Sequence, residues 1–353
     1  MIRRPQSIKK GSTIGVTAPS YGAATEPYSL RYPIAKTKIE DRGYRILEGE
    51  TVFKGDGLGI STDPVTTARE LMKFYESDEC DAIISAGGGE LMNETITGVD
   101  FNRLKNCRPK WFMGYSDNTN FIFPMVTIAG VQGIYGPCFG GFAKEWERTE
   151  FDSFALLEGT KSVFEGINKF VDPTLPMSMP ENKVGGVHVY TDKELMAPYD
   201  LNANRHLKYS GCEDEHVRMD GLLLGGCLDI LANLVGTRFD RVKDFKRENQ
   251  RIIWVFEACD LSPMSIRRSL WNLREAGWLK DAAGFIIGRP YASWKQNMLG
   301  VDQYNAVTDV LSGIGAPMLM DVEIGHVEPM LPVIIGAEAV IEAAEDTLLI
   351  SYT

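Results

Sequence analysis

The chain has 353 residues, of which 44% are hydrophobic and 24% charged, and a net charge of -11. That length favours two domains over one core, and the composition is that of an ordinary globular protein. An acidic total with no Lys/Arg cluster among aromatics excludes a phosphate-backbone reader, and so a nucleic-acid partner.

The six cysteines, Cys80, Cys107, Cys138, Cys212, Cys227 and Cys259, contain no CxxC pair. Neither a zinc site nor a disulfide framework is expected. The opening MIRRPQSIKKGSTIGV is positively charged but lacks an apolar segment ahead of the first strand, and no later run approaches bilayer length. The default setting is a reducing cytoplasm, with no membrane partner.

Strand and helix signals alternate through the first half. The run 12–18 (STIGVTA) reads as a strand ended by Pro19-Ser20, 33–41 as a helix, 44–47 as extended and 66–75 as an amphipathic helix. The apolar run 81–85 (DAIIS) leads into Gly87-Gly88-Gly89, 110–113 is a strand, a helix covers 118–126, and 131–135 is a further short strand. Near-continuous apolar strands separated by helices indicate a parallel sheet covered on both faces. Ligands gather at the carboxyl edge of such sheets, where the GGG turn and Ser116 both fall.

Around 168–186, Pro173, Pro176 and Pro180 precede Gly185-Gly186 with little periodicity, which predicts a linker between an α/β domain over 1–167 and a second domain over 187–353. In that second domain 218–224, 251–256 and 285–288 read as strands and 265–275 as a helix. After Pro317 the chain is strand-rich, with 332–335 and 348–351 among the candidates. The expected architecture is an N-terminal parallel-sheet sandwich with a smaller β-rich C-terminal domain.

The chemistry centres on PKWFMGYSDNTNFIF, residues 109–123. A strand, a turn too short to hide its side chain and a helix together lift Ser116 clear of the sheet, with the helix N-terminus aimed at any developing anion. The plainer alternative is that Ser116 or Asp117 caps the helix. A serine nucleophile needs a base, and the chain offers four histidines, His188, His206, His216 and His326. Three stand in polar sequence, whereas His326, in IGHVEPMLPVIIG, belongs to a loop before an apolar strand. Glu257 is the best carboxylate to orient an imidazole, because RIIWVFEACD places it at the end of a strongly apolar strand, where an unpartnered charge is costly. Glu323 and Glu328, flanking His326, are alternatives. The glycine turn offers backbone N–H groups for an oxyanion hole, together with that of Asp117. Cys138, in YGPCFGG, has no evident histidine partner and reads as a buried, inert thiol.

GYSDNT around Ser116, the glycines after DAIIS, MDGLLLGGCLDIL, WVFEACD and the GH before a terminal strand together resemble the LD-carboxypeptidase family of serine peptidases, nearest its microcin C immunity branch. The similarity runs in order through nearly the whole chain. It implies a Ser-Glu-His triad on Ser116, Glu257 and His326, an oxyanion hole from Gly88, Gly89 and Asp117, no cofactor or metal, and a homodimer. The implied activity is hydrolysis of an amide in a small substrate, either a murein LD-peptide or a peptidyl or aminoacyl nucleotide. A non-catalytic small-molecule binding protein of the same fold is the competing reading. The elbow has Asn118 where the α/β-hydrolase pattern has glycine, which argues against that other fold. The immunity branch stacks a nucleobase on tryptophans of a mid-chain loop, but none of the six tryptophans here lies between 181 and 212. That stretch offers His188, Tyr190, Tyr199, His206 and Tyr209, so Tyr190, Tyr199 and Tyr209 are the substrate-binding candidates.

Overall fold

The computed structural model describes residues 2–175, 183–184, 187–212, 215–248 and 251–353. Most of the expected linker's second half, 176–182 and 185–186, lies outside the described residues.

Two sheets organise the chain. The first has six strands in the order Val333–Ile335, Gly133–Tyr135, Trp111–Gly114, Ala82–Ser85, Thr13–Thr17 and Arg45–Glu48. Five of these run parallel, and only Val333–Ile335 pairs antiparallel, with Tyr135 opposite Val333. The central strands are buried along their whole length, which is why AIIS and WFMG read as continuous apolar runs and not as alternating ones.

The second sheet has eight strands in the order Lys208–Ser210, Met318–Val322, Gly284–Gly288, Ile252–Glu257, His216–Cys227, Glu338–Ala344, Thr347–Tyr352 and Val163–Glu165. The second to fifth of these are parallel, and antiparallel pairs flank them. The second half of the chain is therefore a mixed α/β layer, with Pro263–Glu275 among its helices, and not a purely antiparallel one.

Each half lends a strand to the other's sheet. Val163–Glu165 closes the edge of the eight-stranded sheet, and Val333–Ile335 closes the edge of the six-stranded one. The helix Thr119–Thr127, which follows the serine turn, is buried at all nine residues. A helix apolar all round has no solvent face. Its Phe123 ring stacks on Trp278 with centroids 5.1 Å apart, and on Trp254 of the second sheet at 6.5 Å.

The LLLGGC segment abuts that helix directly. At Gly225, with φ of +148°, an added Cβ would overlap the Val255 carbonyl, and at Gly226 one would meet Thr119 at 2.7 Å. Only glycine permits this approach, and it lets Thr119 Oγ1 accept the Cys227 N–H at 3.0 Å. Thus the carboxyl edges of both sheets converge on one place.

Candidate active site

Ser116 follows the strand Trp111–Gly114 and opens the single 3-10 turn Ser116–Asn118. Its φ is +60°, a left-handed conformation rare outside glycine. Neither Ser116 nor Asp117 caps the helix. Instead the buried Asp117 carboxylate accepts from the Ser20 hydroxyl, from the Met92 N–H at 2.9 Å and from Asn120 Nδ2 at 2.8 Å, while burial pushes its carboxyl above the usual range. These three bonds fix the turn from beneath. As a first-turn residue, Asp117 has no intrahelical acceptor for its own N–H.

The glycine turn lies across from the serine. A Cβ on Gly88 would stand 3.8 Å from Ser116 Oγ, and one on Gly89, at φ of +155°, would overlap the Ser20 hydroxyl. Asn118 Nδ2 donates to the Gly87 carbonyl at 3.0 Å and so clamps the two turns together. This role suits Asn118 where a glycine would provide no donor.

His326 sits on the loop after Met318–Val322. Its Nδ1 lies 2.8 Å from Glu257 Oε2, and the Glu257 side chain is fully buried. Burial alone would raise the Glu257 carboxyl, but His326, then Tyr135 and Cys227, outweigh it and hold the group below the usual carboxylate range. Burial likewise disfavours the imidazolium, but the adjacent carboxylate prevails and raises His326 above its ordinary value. Gly325, with φ of +103°, makes this contact possible, because any Cβ there would overlap the Glu257 side chain. The two alternative carboxylates act elsewhere. Glu323 is buried in an ion pair with Arg205, and Glu328 accepts from the Tyr199 hydroxyl.

One cavity of about 420 Å³ is lined by Ser116, His326 and the Gly87–Gly89 turn, together with Tyr28, Arg31, Cys138, Lys144, Tyr199, Cys259 and Glu328. The structure thus brings Ser116, His326, Gly88 and Gly89 to one space, with Glu257 directly behind the histidine. Among the described residues no hydrogen bond engages Ser116 Oγ. Cys138 is buried there with its thiol pushed up to about 12 by burial, against a hydrogen bond from the Tyr115 backbone, and Asn118 Nδ2 approaches its sulfur at 3.6 Å. Of the three tyrosine candidates, only Tyr199 lines the cavity. Tyr190 packs against the His188 ring at 4.4 Å, and the Tyr209 hydroxyl donates to the Glu345 carbonyl at 2.6 Å.

The residue that sequence reasoning missed is Tyr135. Its hydroxyl accepts the Ser116 N–H at 2.9 Å and donates to Glu257 Oε1. A hydroxyl-bearing ring on the last residue of a fully buried strand was the available signal, since such a group must find a partner.

This arrangement, a strained serine beside a histidine backed by a buried glutamate, coincides with two matches to known families. The LD-carboxypeptidase N-terminal domain matches residues 14–136, and the LD-carboxypeptidase C-terminal domain matches residues 220–341. The chain belongs to the LD-carboxypeptidase family. Among its relatives is a probable murein peptide carboxypeptidase of Bacillus subtilis, 25% identical over 98% of this chain and 94% of the relative. The microcin C7 self-immunity protein MccF of Escherichia coli is 23% identical over 94% of this chain and 91% of its own. The solved structure of MccF with aspartyl sulfamoyl adenosine superposes with a TM-score of 0.77 at 19% identity, covering 100% of this chain and 99% of that one. The fold is shared along the whole length of the chain. Among the described residues no helix is long and apolar enough to cross a membrane, and no group of three or more His, Cys, Asp or Glu is placed to hold a metal.

Proposed function

We propose that this chain hydrolyses an amide bond in a small peptide-like substrate through an acyl-enzyme on Ser116. The observation that carries the reading is the Ser116 turn at φ of +60° sharing a cavity with His326, whose Nδ1 is held 2.8 Å from the buried Glu257. With Nδ1 held by Glu257, and Cys259 the imidazole's other side-chain partner, Nε2 is the nitrogen assigned to take the serine proton. Ser116 Oγ attacks the carbonyl carbon, His326 receives the proton, and the imidazolium is stabilised by Glu257. The N–H groups of Asp117 and of Gly88 and Gly89 receive the developing oxyanion. His326 then protonates the leaving amine, and water, deprotonated by the same nitrogen, releases the acyl group and restores Ser116.

The substrate class follows the relatives: a murein LD-peptide, or a peptidyl or aminoacyl nucleotide of the microcin C type. A homodimer and a cytoplasmic setting complete the reading, the latter supported by six unpaired thiols. The test is labelling with a fluorophosphonate probe followed by peptide mapping. Modification of Ser116, lost in Ser116→Ala, is expected; an intact wild-type protein that takes up no probe would overturn the assignment.

A further inference from the structure

His326 is carried by a stretch without regular secondary structure. Between the strands Met318–Val322 and Val333–Ile335, residues 323–332 form neither helix nor strand, so no ladder of backbone bonds fixes where the imidazole stands. The ends of this loop are drawn together by one bond, from the Leu331 N–H to the Glu323 carbonyl at 2.6 Å. The rest of its shape is set by what it touches. What it touches is a second segment, 167–172, at the start of the proline-rich stretch.

Three contacts clasp the loop on either side of the histidine. Before it, the Glu323 carboxylate accepts from Arg205 Nη1 at 2.6 and 2.8 Å and from the Ile167 N–H, and both side chains of this ion pair are fully buried. Beyond it, the Glu328 carbonyl accepts the Val171 N–H at 2.7 Å. Between these bonds Val327 packs against Phe170 and Trp294 in a small apolar cluster separate from the main core. Arg205 is tied to the same segment. Its Nη2 donates to Asn168 Oδ1 at 3.1 Å and its backbone N–H to the Asn168 carbonyl at 2.8 Å, while the short pairing of Ala203–Asn204 with Lys169–Phe170 delivers it there. At the segment's far end the buried Asp172 carboxylate accepts from Trp294 Nε1 at 3.0 Å and from Lys295 Nζ at 2.5 Å.

We propose that the Arg205–Glu323 pair and the segment 167–172 are positioning elements for His326, holding its loop so that Nδ1 meets Glu257. The proposal rests on the hydrolase reading and adds to it the residues that seat the base. A buried ion pair carries a desolvation cost that apolar side chains of similar size would avoid, so stability alone does not account for it. What the pair supplies is direction: the planar guanidinium binds Glu323 and Asn168 in one fixed orientation, which an apolar contact cannot impose. Neither Arg205, Glu323 nor any residue of 167–172 lines the active-site cavity. Their effect on turnover therefore passes through the histidine.

The test reads the imidazole itself, by NMR titration of the full-length protein, whose four histidines give four ring signals. His326→Gln identifies the signal of interest. In the wild type it should titrate above 6.5, because Glu257 favours the charged form. Arg205→Met combined with Glu323→Leu removes one charge of each sign at similar volume, so a shift reports position and not net charge. The groups facing the imidazole, Glu257, Cys259, Tyr115, Glu90 and Glu328, are left in place. The titration should move down by about one pH unit or more as the loop leaves Glu257, and kcat should fall by about 10- to 100-fold with KM changed by less than about 2-fold. Arg205→Lys, which keeps the charge but not the fork, should retain part of both. If the double variant has lost its native circular dichroism, Phe170→Ala, which frees Val327 and leaves the ion pair intact, takes its place with a shift in the same direction. A His326 signal unmoved in the folded variant, or a change confined to KM or to Tm, would overturn the proposal. Failure of the hydrolase reading is seen separately, as absent fluorophosphonate labelling of the wild-type serine, since the titration needs no turnover.

Discussion

Ser116 donates its backbone N–H to the Tyr135 hydroxyl at 2.9 Å, and that hydroxyl in turn donates to Glu257. The main chain of the proposed nucleophile and the carboxylate held against His326 are thereby joined through one phenol from a third strand. Tyr135→Phe removes both bonds without changing the ring's packing. It leaves one buried N–H and one buried carboxylate oxygen short of a partner, at a cost of about 1–3 kcal/mol in stability. We expect kcat to fall by about 10- to 100-fold with little change in KM, since the loss is of alignment and not of substrate contact. Steady-state kinetics with a thermal melt checks both parts; a full-speed variant would mean that the Ser116 turn holds its shape unaided.

The left-handed turn at Ser116 predicts an unusual stability order. Ser116→Ala should remove several orders of magnitude of kcat and leave the fold unchanged, because no described hydrogen bond engages Oγ. Ser116→Gly should be just as inactive yet more stable than the alanine variant by about 1 kcal/mol, since glycine relieves the positive φ of +60°. Chemical denaturation of the two variants measures the difference. A glycine variant no more stable than the alanine one would show that the turn carries no strain.

Much of this site could be read in the sequence, for physical reasons. Ser116 announces itself because a buried strand and a buried helix leave no room between them for a disordered loop. His326 stands out through scarcity, and Glu257 because five apolar neighbours make an unpartnered carboxylate costly. Tyr135 escaped because it belongs to no spacing pattern. Its two partners come from positions 19 residues before and 122 residues after it, and only folding brings them together. The exchange of Val163–Glu165 and Val333–Ile335 between sheets escaped for the same reason, since short edge strands carry no record of which sheet they join. The tyrosines of 181–212 were legible as aromatic but not as already engaged.

The acid limb of the pH–rate profile should lie above the ordinary histidine value of 6.5, because Glu257 raises His326. The sign follows from the mechanism. A protonated imidazole cannot accept the serine proton, and Glu257 stabilises that protonated form, so the active species appears only at higher pH. In Glu257→Gln the charge is gone and burial is opposed only by Cys259, which moves the limb downward, while kcat drops by about four orders of magnitude through loss of tautomer control. The profile of kcat/KM against pH for both proteins decides this. A wild-type limb below 6.5, or one unmoved by the substitution, would show that His326 and Glu257 do not titrate as a pair.

The state of the tyrosines bears on which substrate is preferred. Stacking a purine needs a free aromatic face, yet Lys144 covers the Tyr199 ring at 3.5 Å, and its hydroxyl is bonded to Glu328. Tyr190 is turned to His188, and Tyr209 reaches away to Glu345. No aromatic residue occurs in 176–186, so that stretch of the chain offers no replacement. Without these three rings as stacking partners a base forgoes about 1–3 kcal/mol, which is roughly 5- to 150-fold in affinity, unless the exposed Tyr28 at the cavity wall takes their place. Peptide-like amides should therefore compete well with aminoacyl adenylate analogues. The measurement is kcat/KM for a murein tetrapeptide beside an aminoacyl sulfamoyl adenosine carrying a cleavable amide. Preference for the adenosine compound by more than about 100-fold would contradict this, and would require Lys144 to leave the Tyr199 ring when a base arrives, or Tyr28 at the cavity wall or a second copy of the chain to supply the aromatic face.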